Sequence, residues 1–395
     1  MTQRMRTPSP LGAGVGLAAV LLLAVNLRPV LSSVPPLTVD IQESLGWGDV
    51  EIGLLSAIPI LCLALAAPLV PRLAARTGRV RGVVLGLSLI ALGAASRWGA
   101  ELWAPVLVLS AAIGGVGIAI CSVLLPSFVR QWFPAKVTST TGMTTALLIV
   151  GAAAAAASAV PLSAWLGSWT ASLALWSIPA VVAVIAWLLI GRRLGRLDDV
   201  QSTRAALPWR SPAAWSIAAY LAFNGVVFYA LVAWMAPSYD ERGWTQVEGG
   251  LLLGYGTAMQ VIGAIVVSRV VQRFDDRRPA YVVLVLVTSA ALLLIGIAPE
   301  FQTWIVIGVV QIGLGASFAL GLALLPEYAT SPDAAARATA MAFLIAYAAA
   351  SVSPVLFGGL ASALDSWTVV YVVLAVVSLG QLAAILTLRR GATIA

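Results

Sequence analysis

The chain has 395 residues, 61% of them hydrophobic and only 10% charged, with a formal net charge of +7, a pI near 9.9 and a mean hydropathy of +0.98. That composition excludes a soluble globular protein, and the basic residues fall in short clusters between apolar runs rather than on one surface, so no nucleic-acid partner is expected. Histidine is absent and the two cysteines, Cys62 and Cys121, stand apart in apolar segments, which leaves no metal site, disulfide framework or cofactor to expect and argues against an enzyme built on a nucleophile and base.

The N-terminal MTQRMRTPSP is shaped like the n-region of a signal peptide. The apolar run behind it is too long and carries no A-x-A pattern, so an uncleaved first helix is expected. Runs long enough to cross a bilayer fall at about 14–38, 50–71, 82–98, 103–129, 137–162 and 170–191, then at about 213–238, 247–270, 279–298, 303–326, 336–362 and 367–388. The reading is an all-α membrane protein with twelve transmembrane helices. An even count puts both termini on one side. The tails (Arg4, Arg6, Arg389, Arg390) and the alternate loops, among them Arg72, Arg76, Arg79, Arg81, Arg130, Lys136, Arg192, Arg269, Arg273, Arg277 and Arg278, hold 20 of the 23 basic residues. By the positive-inside rule that side is the cytoplasm, in a plasma-membrane protein. The opposite loops carry Asp40, Glu43, Asp49, Glu51, Asp240, Glu241 and Glu248 instead.

In the first run, LAVNLRPVLSSVPPL places Arg28 inside an otherwise apolar segment with no acidic neighbour. An intramembrane cation of this kind is costly and reads as functional. At roughly 1.5 Å per residue it lies about 21 Å from Gly14 and about 15 Å from Thr38, and its side chain leans back toward the midplane. Pro29 and Pro35-Pro36 break the helix around it. Ser32 follows one turn later on the same face, while Asn26 points elsewhere, so the two need not share a partner; both are substrate-binding candidates with Arg28. The expectation is an anion-binding site.

The longest hydrophilic stretch separates two halves, predicted as 1–191 and 213–395 joined by a cytoplasmic linker 192–212. The halves repeat. Gly46-Trp47, Val50-Glu51, Gly53, Leu54 and Leu55 recur as Gly243-Trp244, Val247-Glu248, Gly250, Leu251 and Leu252 at a spacing of 197; Arg72 and Arg76 meet Arg269 and Arg273 at the same spacing; Leu124-Leu125-Pro126 meets Leu324-Leu325-Pro326 at 200; Leu166, Ser168 and Trp169 meet Leu364, Ser366 and Trp367 at 198. Four matches in order indicate a true repeat. Six helices per repeat in one orientation is the architecture of the major facilitator fold, two pseudo-symmetric six-helix bundles.

The loop Pro71-Arg72-Leu73-Ala74-Ala75-Arg76-Thr77-Gly78-Arg79 resembles that superfamily's signature loop, with Pro71 and Ala75 in place of its Gly and Asp. The resemblance implies a cytoplasmic gate with Arg76 and Arg79 as its cations. Asn-Leu-Arg-Pro and Ser-Ser-Val-Pro-Pro in the first span, Pro68 and Pro71 after the second, and Arg130-Gln131-Trp132-Phe133-Pro134 after the fourth resemble the branch of cyanate and 2-nitroimidazole transporters. That implies a small anionic or weakly acidic substrate, or a small planar nitro-heteroaromatic one.

Further substrate-binding candidates are polar residues near mid-span: Tyr220, Asn224 and Tyr229 in the seventh run, Tyr255 and Gln260 in the eighth, Tyr347 and Ser351 in the eleventh, with Gln311 and Thr141, Thr144 and Thr145 behind them. Tyr220 with Asn224, and Tyr347 with Ser351, are i, i+4 pairs. The expected function is secondary transport by alternating access, in a monomer embedded in the lipid bilayer. The alternative is a proton-coupled multidrug exporter of the same fold, which needs an embedded carboxylate; Glu101, Glu327 and Asp365 all fall at span ends.

Overall fold

A computed structural model describes residues 13–66, 69–194, 206–271, 273–274, 277–388 and 392–394. Pro68, the arginines of both tails, Arg196, Arg204 and the middle of the predicted linker lie outside the described residues. Among the described residues twelve helices are long and apolar enough to cross a membrane: α1 (Gly14–Leu45), α2 (Asp49–Ala66), α3 (Arg79–Gly99), α4 (Pro105–Trp132), α5 (Ser139–Leu166), α6 (Trp169–Arg192), α7 (Pro212–Asp240), α8 (Gln246–Val271), α9 (Arg278–Ile297), α10 (Thr303–Tyr328), α11 (Asp333–Leu364) and α12 (Trp367–Thr387).

The ends of these helices follow local chemistry, and the repeat is visible in them. Ser168 and Ser366 cap α6 and α12 in the same way, each with an extended backbone and a side-chain oxygen that accepts from the N–H three residues on. Gly46 and Gly243, 197 residues apart, both take positive φ, 68° and 88°, in the turns that follow α1 and α7. Thr245 and Glu248 form a full capping box at the start of α8.

The first span is longer than its apolar run suggested, reaching Leu45 rather than residue 38. Pro35-Pro36 tightens the chain into a 3₁₀ turn over Pro35–Leu37 instead of ending it, and the Thr38 hydroxyl donates to Pro35 O at 2.9 Å. Upstream, helix stops at Val25 and resumes at Pro29. Only i→i−3 bonds, Asn26 to Leu23 and Leu27 to Ala24, both 3.2 Å, carry the chain across the break.

Packing differs between the two ends of the molecule. At the acidic end a single buried core draws on both groups of six spans, with Val34, Leu37, Ile41, Ile52 and Leu55 against Val227, Leu231, Trp234, Leu252 and Phe357. Toward the arginine-rich end each group has its own core. The first holds Leu87, Phe128, Trp132 and Trp187, and the second holds Ile217, Val271, Leu324 and Met341. Glycines permit the closest contacts across the shared end. A Cβ on Gly53 would lie 2.8 Å from Val355 Cα and 2.9 Å from Pro354 O, and one on Gly250 would lie 2.9 Å from Ala156 O. Gly53 and Gly250 are repeat partners, as are Ala156 and Pro354 at a spacing of 198. The same contact is therefore made twice, α2 on α11 and α8 on α5. The molecule is closed at its acidic end.

Candidate functional site

The broken turn of α1 delivers Arg28 to a cavity between the two groups of spans. The backbone there is crowded, since a Cβ on Gly151 of α5 would collide with Val25 O, the last carbonyl before the break. Arg28 Nη1 donates to the Tyr229 hydroxyl of α7 at 2.9 Å. Its guanidinium carbon lies 5.8 Å from the centre of the Phe228 ring and 5.7 Å from that of Tyr229. Tyr229 in turn meets Tyr347 of α11 edge-on at 6.4 Å, and Tyr347 meets Phe343 at 5.5 Å. Among the described residues Arg28 forms no ion pair, whereas Arg277 and Glu327 pair at 2.8 Å. A guanidinium inside the membrane is thus held by one phenol and two ring faces.

The cavity has two lobes that share Arg28, Leu148, Ile149, Phe228, Tyr229 and Gln260. One, of about 50 Å³, reaches Ser32, Ser56 and Thr257. The other, of about 110 Å³, reaches Asn224, Gly225, Phe318, Phe343 and Tyr347. Both fall well below the roughly 300–1,000 Å³ typical of a drug-sized pocket. A π-helical turn, Gly263–Val267, interrupts α8 beside the second lobe and contributes Ala264 to its wall; such turns recur at functional sites.

Of the residues singled out in the sequence, Arg28, Ser32, Thr145, Asn224, Tyr229, Gln260 and Tyr347 line these lobes. Asn224 commits an amide N–H to Leu314 O at 3.2 Å, and Gln260 donates to Gln311 Oε1 at 3.0 Å. Asn26, Tyr220, Tyr255 and Ser351 lie off the cavity wall, as do Gln311, Thr141 and Thr144. Asn26 ties α1 to Leu22 O and Pro179 O. Tyr220 is fully buried against Tyr281, with ring centres 5.8 Å apart. Tyr255 packs edge-on to Trp304 at 5.3 Å. Ser351 donates back to Ala348 O of its own helix at 2.8 Å. Each satisfies its polar group or packs its ring between helices, which is the common fate of such residues in membrane bundles. The gate candidates lie apart from the cavity. Arg76 is exposed in a short helix, Val70–Thr77, and Arg79 donates to Gln131 Oε1 at 2.7 Å beside the Phe128 ring.

Sequence reasoning passed over Phe228, Phe318 and Phe343, which form much of the wall. Phe343 was within reach, since it stands one turn before Tyr347 on the same face. It also passed over Arg97, which is 1% exposed at the end of α3, where Nε donates to Ser110 Oγ of α4 at 3.2 Å.

The sequence matches the Major Facilitator Superfamily over residues 17–286 and 235–393. It is 30% identical to the 2-nitroimidazole transporter of Escherichia coli (strain K12) over 92% of this chain and 92% of that one. It is 29% identical to the cyanate transport protein CynX of the same organism, over 88% and 90%. An uncharacterized transporter of Bacillus subtilis (strain 168), YycB, is 27% identical over 91% and 89%. The fold is similar to that of a D-xylose–proton symporter, with a TM-score of 0.74 over 97% of this chain and 99% of that one at 16% identity. It also resembles an inward-facing bacterial homolog of the lysosomal transporter Spinster, at 0.73 over 96% and 95% and 16% identity. Twelve apolar helices in two repeats and a cavity between them are what this family match predicts: the chain belongs to the Major Facilitator Superfamily and is a multi-pass membrane protein, a secondary transporter.

Proposed function

We propose that the protein carries a small anion or a small planar nitro-heteroaromatic compound across the plasma membrane by alternating access. In this reading the halves 1–191 and 213–395 rock about the cavity, and both termini face the cytoplasm. The observation that carries the proposal is Arg28, an intramembrane cation with no carboxylate partner among the described residues, on the wall of both lobes. A charge-assisted bond in a cavity screened from water holds a ligand of few atoms. The aromatic walls suit a flat one, which slides between Phe228, Tyr229 and Tyr347 as rings stack. Asn224 and Gln260 supply the polar edge, and Arg76 and Arg79 mark the cytoplasmic gate. The similarity to transporters of cyanate and 2-nitroimidazole supports the same substrate class.

The test is thermal stabilisation of the purified protein by a panel of small anions, nitroimidazoles and cationic drugs, in wild type and Arg28→Ala. A ligand present at a hundred times its Kd stabilises by about 2.7 kcal/mol. Stabilisation by an anion or weakly acidic heterocycle is expected in wild type and lost in Arg28→Ala. Stabilisation by cationic drugs that survives the substitution would replace this reading with the multidrug exporter.

A further inference from the structure

We propose that the corner between α3 and α6 at the arginine-rich end is a binding site for one anionic phospholipid. A groove of about 640 Å³ opens there, lined by Arg79, Arg81 and Arg192 at its mouth and by Val84, Leu85, Trp187 and Leu188 along its floor. No acidic side chain is among its lining residues. Basic pockets between transmembrane helices at this level are suited to lipid phosphates.

Its dimensions match a lipid rather than a soluble anion. The lining runs down α3 from Arg79 to Ser88, nine residues or roughly 14 Å of helix. That is about half of a hydrocarbon core of roughly 30 Å, the depth of one leaflet. Leu85 and Leu188 are 41% and 48% exposed, so the floor faces the acyl region. Its back wall is rigid: Trp187 is fully buried, donates to Ala19 O at 3.1 Å and stacks on Trp132.

The mouth is built for a phosphate. Arg79 leaves its Nε buried without a partner, although Nη2 is held by Gln131. Gly82 is the first residue of α3 whose N–H closes back on the turn, onto Gly78 O at 3.0 Å, so the N–H groups of Arg79, Val80 and Arg81 lie at the positive end of its α-helical part, Arg79–Ser96. The repeat supplies an internal comparison. In the matching corner of the second half, Arg277 is neutralised by Glu327 at 2.8 Å and Arg278 donates to Leu388 O. Among the described residues no carboxylate lines the corresponding corner of the first half, where Arg81 and Arg192 are exposed.

Native mass spectrometry of the full-length chain, titrated with phosphatidylglycerol, phosphatidylcholine or inorganic phosphate, tests this. Wild type is expected to retain one phosphatidylglycerol at least tenfold more tightly than phosphatidylcholine. The double variant Arg81→Gln/Arg192→Gln should weaken it roughly tenfold or more, while Arg269→Gln/Arg273→Gln, which removes two charges elsewhere on the same side, should not. Leu188→Trp keeps every charge and fills the floor, so it should also release the lipid. Equal retention of both lipids would overturn the proposal. So would unchanged phosphatidylglycerol binding in the double variant or in Leu188→Trp, or displacement of the lipid by inorganic phosphate at equal concentration, which would mark a free-anion site.

Discussion

At Arg28 the guanidinium uses its edge and its face at once, donating to Tyr229 at 2.9 Å while lying near the rings of Phe228 and Tyr229. A lysine keeps the charge and loses both the planar fork and the stacking surface. Arg28→Lys is therefore expected to retain the fold and to weaken substrate binding by about tenfold or more, the cost of roughly one charge-assisted hydrogen bond. The measurement is the ligand concentration that gives half-maximal thermal stabilisation; equal values for Lys and Arg would show that a point charge suffices. Arg28 was legible in the sequence because it is a lone cation in an apolar run. The residues around it were less so. Tyr220 and Asn224 look alike in sequence as an i, i+4 pair, yet the structure buries Tyr220 against Tyr281 and brings Asn224 to the second lobe. In a membrane helix the lipid-facing and bundle-facing sides are both apolar, so periodicity does not report the rotation of the helix, and with it which polar residues reach the cavity.

Among the elements, the repeat was readable in advance and the broken first span partly so. Spacings of 197 to 200 residues located equivalent loops, and the structure places the same serine caps and positive-φ glycines at those loops. The extension of α1 to Leu45 was hidden, because the paired prolines that look like a terminus are absorbed as a 3₁₀ turn. The contact of Gly53 with Pro354 and Val355 leads to an expectation for α2 and α11. A valine there meets backbone rather than a flexible side chain, and overpacking of this kind costs about 1–3 kcal/mol. Gly53→Val should hold the acidic end apart. Ser362→Cys, which stands where Ser362 now donates to Asp49, should then be labelled several-fold faster by a membrane-impermeant maleimide than in the Gly53 background. Unchanged labelling would mean that the seam tolerates the bulk.

For the whole molecule, the carboxylates gathered at the acidic seam lead to an expectation about pH. Asp40 and Glu43 from the first half approach Asp240 from the second, and Glu241, just beyond α7, feels Asp49, Asp365 and Asp240. Burial, and then these carboxylates, push the Glu241 carboxyl above its ordinary value, against a hydrogen bond with Trp367 that pulls it down. An acid whose pKa is higher in the closed arrangement binds a proton more readily there, so acidification through the carboxylate range favours closure and rising pH opposes it. Spin-label distances across the seam are expected to shift toward the closed value as the pH falls from neutral through the carboxylate range. Glu241→Gln should flatten that dependence; a dependence of undiminished size would move the effect to the other carboxylates.

The duplicated architecture ends at the cavity itself. At the spacing of 197 that relates Gly46 to Gly243, Arg28 falls on Gly225, and Gly225 lines the same second lobe. One repeat thus sets a guanidinium at this position, and the other sets a glycine beside it. In the proposed reading a cargo meets its cation from the first half and its ring faces and amides, Phe228, Asn224 and Gln260, from the second, so the two halves would grip it with unlike chemistry as they move. If the halves do rock as proposed, the repeat supplies two related postures, and the unlike pair Arg28 and Gly225 makes the cavity between them chemically one-sided.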